Sequence, residues 1–393
     1  MNKRKEPFPA WPFFEQDEID AVAAVLKSGK VNYWTGEEGK SFEREYAAHT
    51  GTRYAVALSN GTVALEMALK AAGVGEGDEV VVAPRTFIAS ASSVAFCGAR
   101  PIFADVDRES GNITAETIRP VLTSRTRAII PVHLGGWPCD MDPIMELARK
   151  NRLIVIEDCA QAHGAEYHGR RVGSIGDMGA FSFCQDKIMT TGGEGGMITT
   201  ANEEYWERIW SLKDHGKSYQ AVFSREHPPG FRWLHESLGT NARMTEMQAA
   251  IGRIALSKLP RWLKIRRRNA EIYIRRLSGL SALHIPLPGI DIKHAWYRFY
   301  LYVIPERLKT DWSRDRIMNE IGKLGRPGLS GTCCEIYLEK VFSAMDLCPG
   351  DRLPTARWLT GNSLMLPVHP ALSSEDVEDI AVTVAQVIEE AIQ

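Results

Sequence analysis

Apolar positions along the chain fall first into a helical rhythm. Ile19, Val22, Val25 and Leu26 recur at three- and four-residue spacing and predict a helix over 17–28. A loop over 30–40 holds Tyr33, Trp34 and Gly36, and a short helix over 42–49 follows. From residue 54 short apolar runs alternate with helical patterns. Strands are expected over 54–58, 79–83, 101–104, 128–132 and 152–157, with helices over 62–72, 89–97, 115–122 and 141–150 between them. Two more apolar runs, 180–183 and 196–199, read as strands. A long helical stretch then covers about 245–277, followed by a strand over 297–304 and helices over 312–324 and 374–392.

Regular strand–helix alternation with wholly apolar strands predicts an α/β fold, a mostly parallel sheet covered by helices on both faces. The C-terminal part reads as a smaller α+β domain. At 393 residues two domains are the natural expectation. Their boundary is placed inside the long helix, giving a large domain with an N-terminal arm over 1–258 and a small domain over 259–393.

Composition adds little that is special. Apolar and charged fractions of 44% and 24% are those of an ordinary globular protein. A net charge of −2 argues against a nucleic-acid or membrane-surface partner. The basic run Lys264-Ile265-Arg266-Arg267-Arg268 reads as a solvated helix face. Seven scattered cysteines without a CxxC pair read as reduced core fillers in a cytoplasmic protein. Cys159 and His163 have helical metal-ligand spacing, but no second pair completes a site, so no metal is expected. No apolar leader follows Lys3-Arg4-Lys5, and no apolar run reaches the roughly 18 residues of a membrane span.

Four features fall near strand ends, where open α/β sheets bind ligands. Ser59-Asn60-Gly61-Thr62 precedes a helix whose free N–H groups suit a phosphate; alone it is also an ordinary N-cap. It is neither a Walker loop nor GxGxxG, which argues against a nicotinamide dehydrogenase. Thr86-Phe87 puts a flat aromatic after a strand, suited to stacking on a cofactor ring or to the core. Ile154-Val155-Ile156-Glu157-Asp158 ends in two carboxylates, and such a group can keep a pyridine nitrogen protonated; a cap or metal ligand is the plainer reading. Phe181-Ser182-Phe183-Cys184-Gln185-Asp186-Lys187 leads into Thr190-Thr191-Gly192-Gly193-Glu194-Gly195-Gly196. A lysine placed there is a surface residue or an imine-forming amine, with Ser182 a second phosphate donor.

In this order the chain resembles the DegT/DnrJ/StrS group of fold-type I sugar aminotransferases over nearly its whole length. Further matching segments are Pro131-Val132-His133-Leu134, Glu157-Asp158-Cys159-Ala160-Gln161-Ala162-His163-Gly164, Gly239-Thr240-Asn241-Ala242-Arg243-Met244 and Leu366-Pro367-Val368-His369-Pro370. The resemblance implies pyridoxal 5′-phosphate (PLP) as cofactor and Lys187 as its Schiff-base lysine. It implies Asp158 against the pyridine nitrogen, Gln161 at the ring's phenolic oxygen and Phe87 stacked on the ring. Gly61, Thr62 and Ser182 would hold the phosphate, joined by Asn241 from the partner of a homodimer. Tyr33, Trp34, His163, His294 and Tyr337 are candidate substrate contacts, with His133, Trp137 and Arg243 as further candidates; the resemblance turns the loop around Tyr33–Gly36 and, from the partner subunit, the segment near His294 toward the sugar nucleotide. Each of these equally suits packing or capping.

The implied activity is transfer of an amino group from L-glutamate to a keto sugar, a nucleotide-linked 4-keto-6-deoxyhexose, in amino-sugar biosynthesis for surface polysaccharide or natural products. Alternatives are a 3-keto sugar, a cyclitol ketone or an aminohydroxybenzoate-type precursor, and, in another class, a non-catalytic PLP-binding regulator. A sugar dehydratase of the same group would carry histidine in place of Lys187. Two segments depart from the commonest pattern, Cys184-Gln185-Asp186 and Gly135-Gly136-Trp137, and both bear on the substrate. The Thr190–Gly196 stretch resembles that of enzymes aminating C4 of the sugar, with one glycine extra; it also resembles the aminohydroxybenzoate synthases.

Overall fold

Seven strands form the large sheet, in the spatial order Tyr54–Leu58, Gly196–Thr200, Met178–Ser182, Ile154–Asp158, Thr126–Ile130, Glu79–Val82, Arg100–Phe103. The computed structural model describes residues 3–230, 232–331 and 333–392. Gly196–Thr200 alone runs against the other six. The strands are mostly apolar because both faces of the sheet are covered. In Glu79–Val82, Val80 and Val82 enter one core and Val81 the opposite one, and Val155 and Ile156 part in the same way. This period-two division is what a buried parallel strand requires. The expected α/β class and mostly parallel sheet are therefore present.

A second sheet of three antiparallel strands, Leu283–His284, Phe299–Val303 and Ser363–Leu366, packs with helices Arg314–Lys323 and Ser374–Ala391. The helix Glu246–Leu277 joins the two regions. Its N-terminal half gives Ala249, Ala255, Leu259 and Trp262 to the large-sheet core, and its C-terminal half gives Ala270, Tyr273 and Leu277 to the small one. We propose that the two units divide between Trp262 and Ala270. Neither end of the chain respects that division: Phe8 packs on the small core, while Tyr337 and Phe342 return to the large one.

Several elements differ from the sequence expectation, for physical reasons. The second helix spans Glu38–Thr50, four residues earlier than expected. The Glu246 carboxylate accepts the backbone N–H groups of Glu38 at 2.6 Å and Gly39 at 3.0 Å, a cap supplied from over 200 residues away. Helices Glu203–Lys213 and Pro354–Asn362 were not anticipated, since each buries only a few side chains, nor was the strand Ser363–Leu366, buried throughout but only four residues long. The basic run is only partly a solvated face. Lys264, Arg267 and Arg268 are exposed, but Arg266 is fully buried, donates to the carbonyls of Trp296 and Tyr297, and is pushed down to about 9 by burial. Nor are all seven cysteines core fillers: Cys334 is exposed and Cys184 half-buried, though all are free.

Strand Ile154–Asp158 carries the pair of carboxylates, and the alternation of side chains sends them opposite ways. Glu157 is fully buried beneath the sheet. Its Oε1 accepts from the N–H groups of Ile175 at 2.8 Å and Gly176 at 2.7 Å; its Oε2 accepts from the N–H of Gly173 at 2.9 Å and from His133 Nε2 at 3.0 Å. The Cys139 N–H donates to His133 Nδ1 at 2.9 Å, so the ring's hydrogen sits on Nε2. Cys159 lies within metal-ligand distance of this pair, but His163 does not join it, and the donors already occupy both carboxylate oxygens. His133, a candidate substrate contact, is therefore a structural clamp. Burial would raise the Glu157 carboxyl, yet His133 and the backbone donors bring it below the ordinary range.

A glutamine at 157 must turn its NH₂ toward two donors. Glu157→Gln is thus expected to cost about 2–4 kcal/mol in urea unfolding at neutral pH. A depressed carboxyl contributes stability above its unfolded value, near 4.5, and loses it as pH falls through the folded value. Wild type should therefore lose more stability than the variant below that pH.

Candidate active site

The carboxyl ends of the central strands open onto a cavity of about 700 Å³. Of the residues singled out from the sequence for the cofactor, Gly61, Thr62, Phe87, Asp158, Gln161, Ser182 and Lys187 all line it. They come from four strand-end segments spread over more than 120 residues, brought together because successive parallel strands end on the same side of the sheet.

The helix Gly61–Ala71 points its N-terminus at the cavity. Asn60 caps it, its Oδ1 accepting from Val63 N–H at 2.9 Å, while the Gly61 and Thr62 N–H groups find no acceptor among the described residues. A Cβ at Gly61 would lie 2.6 Å from Ser182 Cβ, so glycine lets the helix start meet the strand that brings Ser182. The result is an anion cradle of free N–H groups, a helix dipole and a hydroxyl.

Asp158 faces the cavity from the end of its strand. Ser90 Oγ donates to its Oδ2 at 2.7 Å and Ala160 N–H to its Oδ1 at 3.1 Å. With the Ser90 hydrogen so committed, the Thr86 hydroxyl donates to Ser90 Oγ at 2.8 Å. Burial raises the Asp158 carboxyl, and the Ser90 and Ala160 donors and the Lys187 charge only partly offset it. A cationic partner in the cavity would relieve that penalty. Phe87, 62% exposed, stands on the cavity wall, not in the core. Gln161 accepts from Gly135 N–H at 2.8 Å, while its Nε2 meets Cys333 Sγ at 3.4 Å, a weak acceptor that a ring oxygen could displace. The Lys187 side chain is 15% exposed, and Trp11 Nε1 donates to its backbone carbonyl at 2.8 Å, so the N-terminal arm pins the lysine from outside.

These residues fit PLP. An anion cradle, a buried carboxylate, an exposed aromatic face and an amine surround a space of the right order for a small ring with a phosphate.

The substrate candidates lie elsewhere within one subunit. His163 is fully buried, bonded to the Tyr46 hydroxyl and the Ser182 carbonyl at 2.8 Å each, and burial pushes it down to about 3. It supports Ser182 from behind and does not reach the cavity. Tyr337 packs on Phe103 with its hydroxyl donated to Glu335, in the core of the large sheet. His294 stacks on Trp296 at 3.9 Å and meets Trp137 edge-on, also without lining the cavity. Tyr33, Trp34, Asn241 and Arg243 gather at a second cluster, around Asp214. That buried carboxylate accepts from Trp34 Nε1 at 2.6 Å, Arg243 Nη1 at 2.8 Å and Lys217 Nζ at 3.0 Å, and its backbone pairs with that of Asn241. Beside it Lys213, fully buried, lies 2.7 Å from Glu43 and 4.0 Å over the Tyr33 ring.

Ser90, Asp214, Trp11 and Tyr297 were not singled out from the sequence. Only Ser90 left a trace, as the polar residue four positions after Thr86 at a helix start; Trp11, Asp214 and Tyr297 each meet a partner more than 100 residues away.

Residues 12–385 match the sequence model of the DegT/DnrJ/EryC1/StrS aminotransferase family. The fold superposes on the X-ray structure of the aminotransferase from Psychrobacter cryohalolentis with a TM-score of 0.96 and 53% identity, covering 98% of this chain and 100% of that one. GDP-perosamine synthase of Caulobacter vibrioides is 37% identical over 392 residues, 96% of this chain and 97% of its own. The UDP-N-acetyl-3-dehydro-alpha-D-glucosamine 3-aminotransferase of Acidithiobacillus ferrooxidans is 37% identical over 377 residues, 95% of this chain and 94% of its own. With the cofactor cradle, buried Asp158 and Lys187 in one cavity, this chain belongs to the DegT/DnrJ/EryC1/StrS aminotransferase family and is a PLP-dependent transaminase.

Proposed function

We propose that the enzyme moves the amino group of L-glutamate to a nucleotide-linked 4-keto-6-deoxyhexose. The observation that carries the reading is that Lys187 and Asp158 reach into one cavity behind an anion cradle. The Thr190–Gly196 stretch and the perosamine synthase likeness support a 4-keto acceptor. The 3-aminotransferase likeness favours a second reading, amination at C3.

PLP, when bound, supplies the electron sink for the carbon that loses a proton. The residues of this chain do the rest. Gly61 and Thr62 N–H groups and the Ser182 hydroxyl hold the phosphate. Asp158 keeps a proton on the ring nitrogen, with Ser90 and Thr86 orienting its carboxylate. Gln161 fixes the ring oxygen and Phe87 covers the ring face. Lys187 would hold the cofactor, and its amine would serve as the general base and acid that takes and returns the proton.

Asn241 completes the cradle from a partner subunit. It is exposed and outside the cavity of its own chain, and Phe223, Trp233 and Leu238 nearby are 55%, 80% and 93% exposed, an apolar surface suited to a second copy. Free cysteines suit a reducing cytoplasm, and no helix among the described residues is long and apolar enough to cross a membrane.

Borohydride should fix PLP covalently to the wild-type protein. Lys187→Ala should still bind PLP, lose covalent fixation and lose turnover by about 10³-fold or more. Retained turnover in that variant would sink the assignment. Given glutamate and a panel of nucleoside-diphosphate keto sugars, 2-oxoglutarate should appear with a 4-keto-6-deoxy acceptor; its appearance with 3-keto sugars alone selects the second reading.

A further inference from the structure

Asp186 precedes Lys187 in the segment Cys184-Gln185-Asp186, and its geometry is specific. Asp186 lines the cavity on the same wall as Lys187. Its Oδ2 takes two donors, the Tyr297 hydroxyl and Arg298 Nη2, the latter at 3.3 Å. Its Oδ1 is left facing Lys187 Nζ at 3.8 Å. The same Tyr297 offers its ring face to that amine, 5.1 Å from the ring centre. One oxygen is anchored, and the other is aimed at the reactive nitrogen.

We propose that Asp186 is a positioning residue for Lys187: a fixed counter-charge, anchored by Tyr297 and Arg298, that holds the lysine nitrogen against the cavity wall. The inference rests on the proposed role of Lys187.

Other charged and titratable groups also face this corner. Asp158 approaches from the strand end, Glu194 from the glycine-rich turn and His163 from behind Ser182. Arg298 faces Asp186 directly, and the charge of Asp186 is felt by Arg266 of the long helix. Asp158 is bonded to Ser90 and Ala160, and His163 is neutral through burial. Glu194 makes no ion pair with Lys187, whereas Asp186 does. Burial would raise the Asp186 carboxyl, but Lys187, the Tyr297 hydroxyl and Arg298 bring it below its ordinary range, so it stays charged at neutral pH.

The test is a pH titration of the visible absorbance of PLP-loaded protein. A negative charge beside the lysine nitrogen raises the midpoint, so Asp186→Asn should lower it. The expected fall is roughly 0.5–1 pH unit, the size of one charge about 4 Å away seen largely through water. Tyr297→Phe should move the midpoint the same way by less, because the anchor is loosened while the charge remains. Asp186→Glu should restore most of the wild-type value, a rescue that loss of packing alone would not give. An Asp186→Asn protein that loads PLP and titrates at the wild-type midpoint overturns the proposal. Should that variant fail to fold, an unmoved midpoint in Tyr297→Phe overturns it instead. A wild-type protein that takes up no PLP overturns the proposed function itself, and this inference with it.

Discussion

The end of strand Ile154–Asp158 is the constraint on which the site depends. Two adjacent carboxylates leave the strand on opposite faces because side chains alternate there. Glu157, below, takes four donors from His133 and the turn Gly173–Gly176 and locks the strand end. Asp158, above, is thereby held at a fixed height in the cavity. A buried carboxylate is costly unless each lone pair is used, and here full satisfaction turns that cost into rigidity. The chemistry above the sheet relies on the clamp beneath it.

Charge in the cavity is arranged around the same plan. The anion cradle at the helix Gly61–Ala71 lies at one end and Asp158 in the floor, with Lys187 and Asp186 together on a wall. Each charged group has a partner that fixes its direction: Ser90 for Asp158, Tyr297 and Arg298 for Asp186, and the Trp11 arm for the Lys187 backbone. Such preorganisation means little rearrangement is needed when charge develops. Tyr297 comes from the segment beside the small sheet and Trp11 from the N-terminal arm, so regions outside the large sheet complete the wall around the lysine.

Much of this was legible from residue order. The seven strands of the large sheet and its mostly parallel character were readable as local apolar runs alternating with helices, and the family resemblance pointed to the seven residues that line the cavity. What stayed hidden was set by contacts distant in sequence. Glu246 starts a helix at Glu38, Asp214 collects Trp34 and Arg243, and His163 and Tyr337 are held inside the core, though nothing in their neighbouring residues says so. The basic run shows the same limit, since one of its arginines turns inward to cap carbonyls near Tyr297.

The sequence by itself determined the fold class and the family, and it singled out Lys187 as the lysine proposed to react. Strand periodicity and local motifs are properties of neighbouring residues, and they survive without knowledge of what packs on them. Only the tertiary structure decided that Glu157 becomes a clamp, because its donors, His133 and the turn Gly173–Gly176, are brought to it by the fold. It alone gave Asp186 its direction, because that depends on Tyr297 and Arg298, more than 100 residues away, arriving at the same wall.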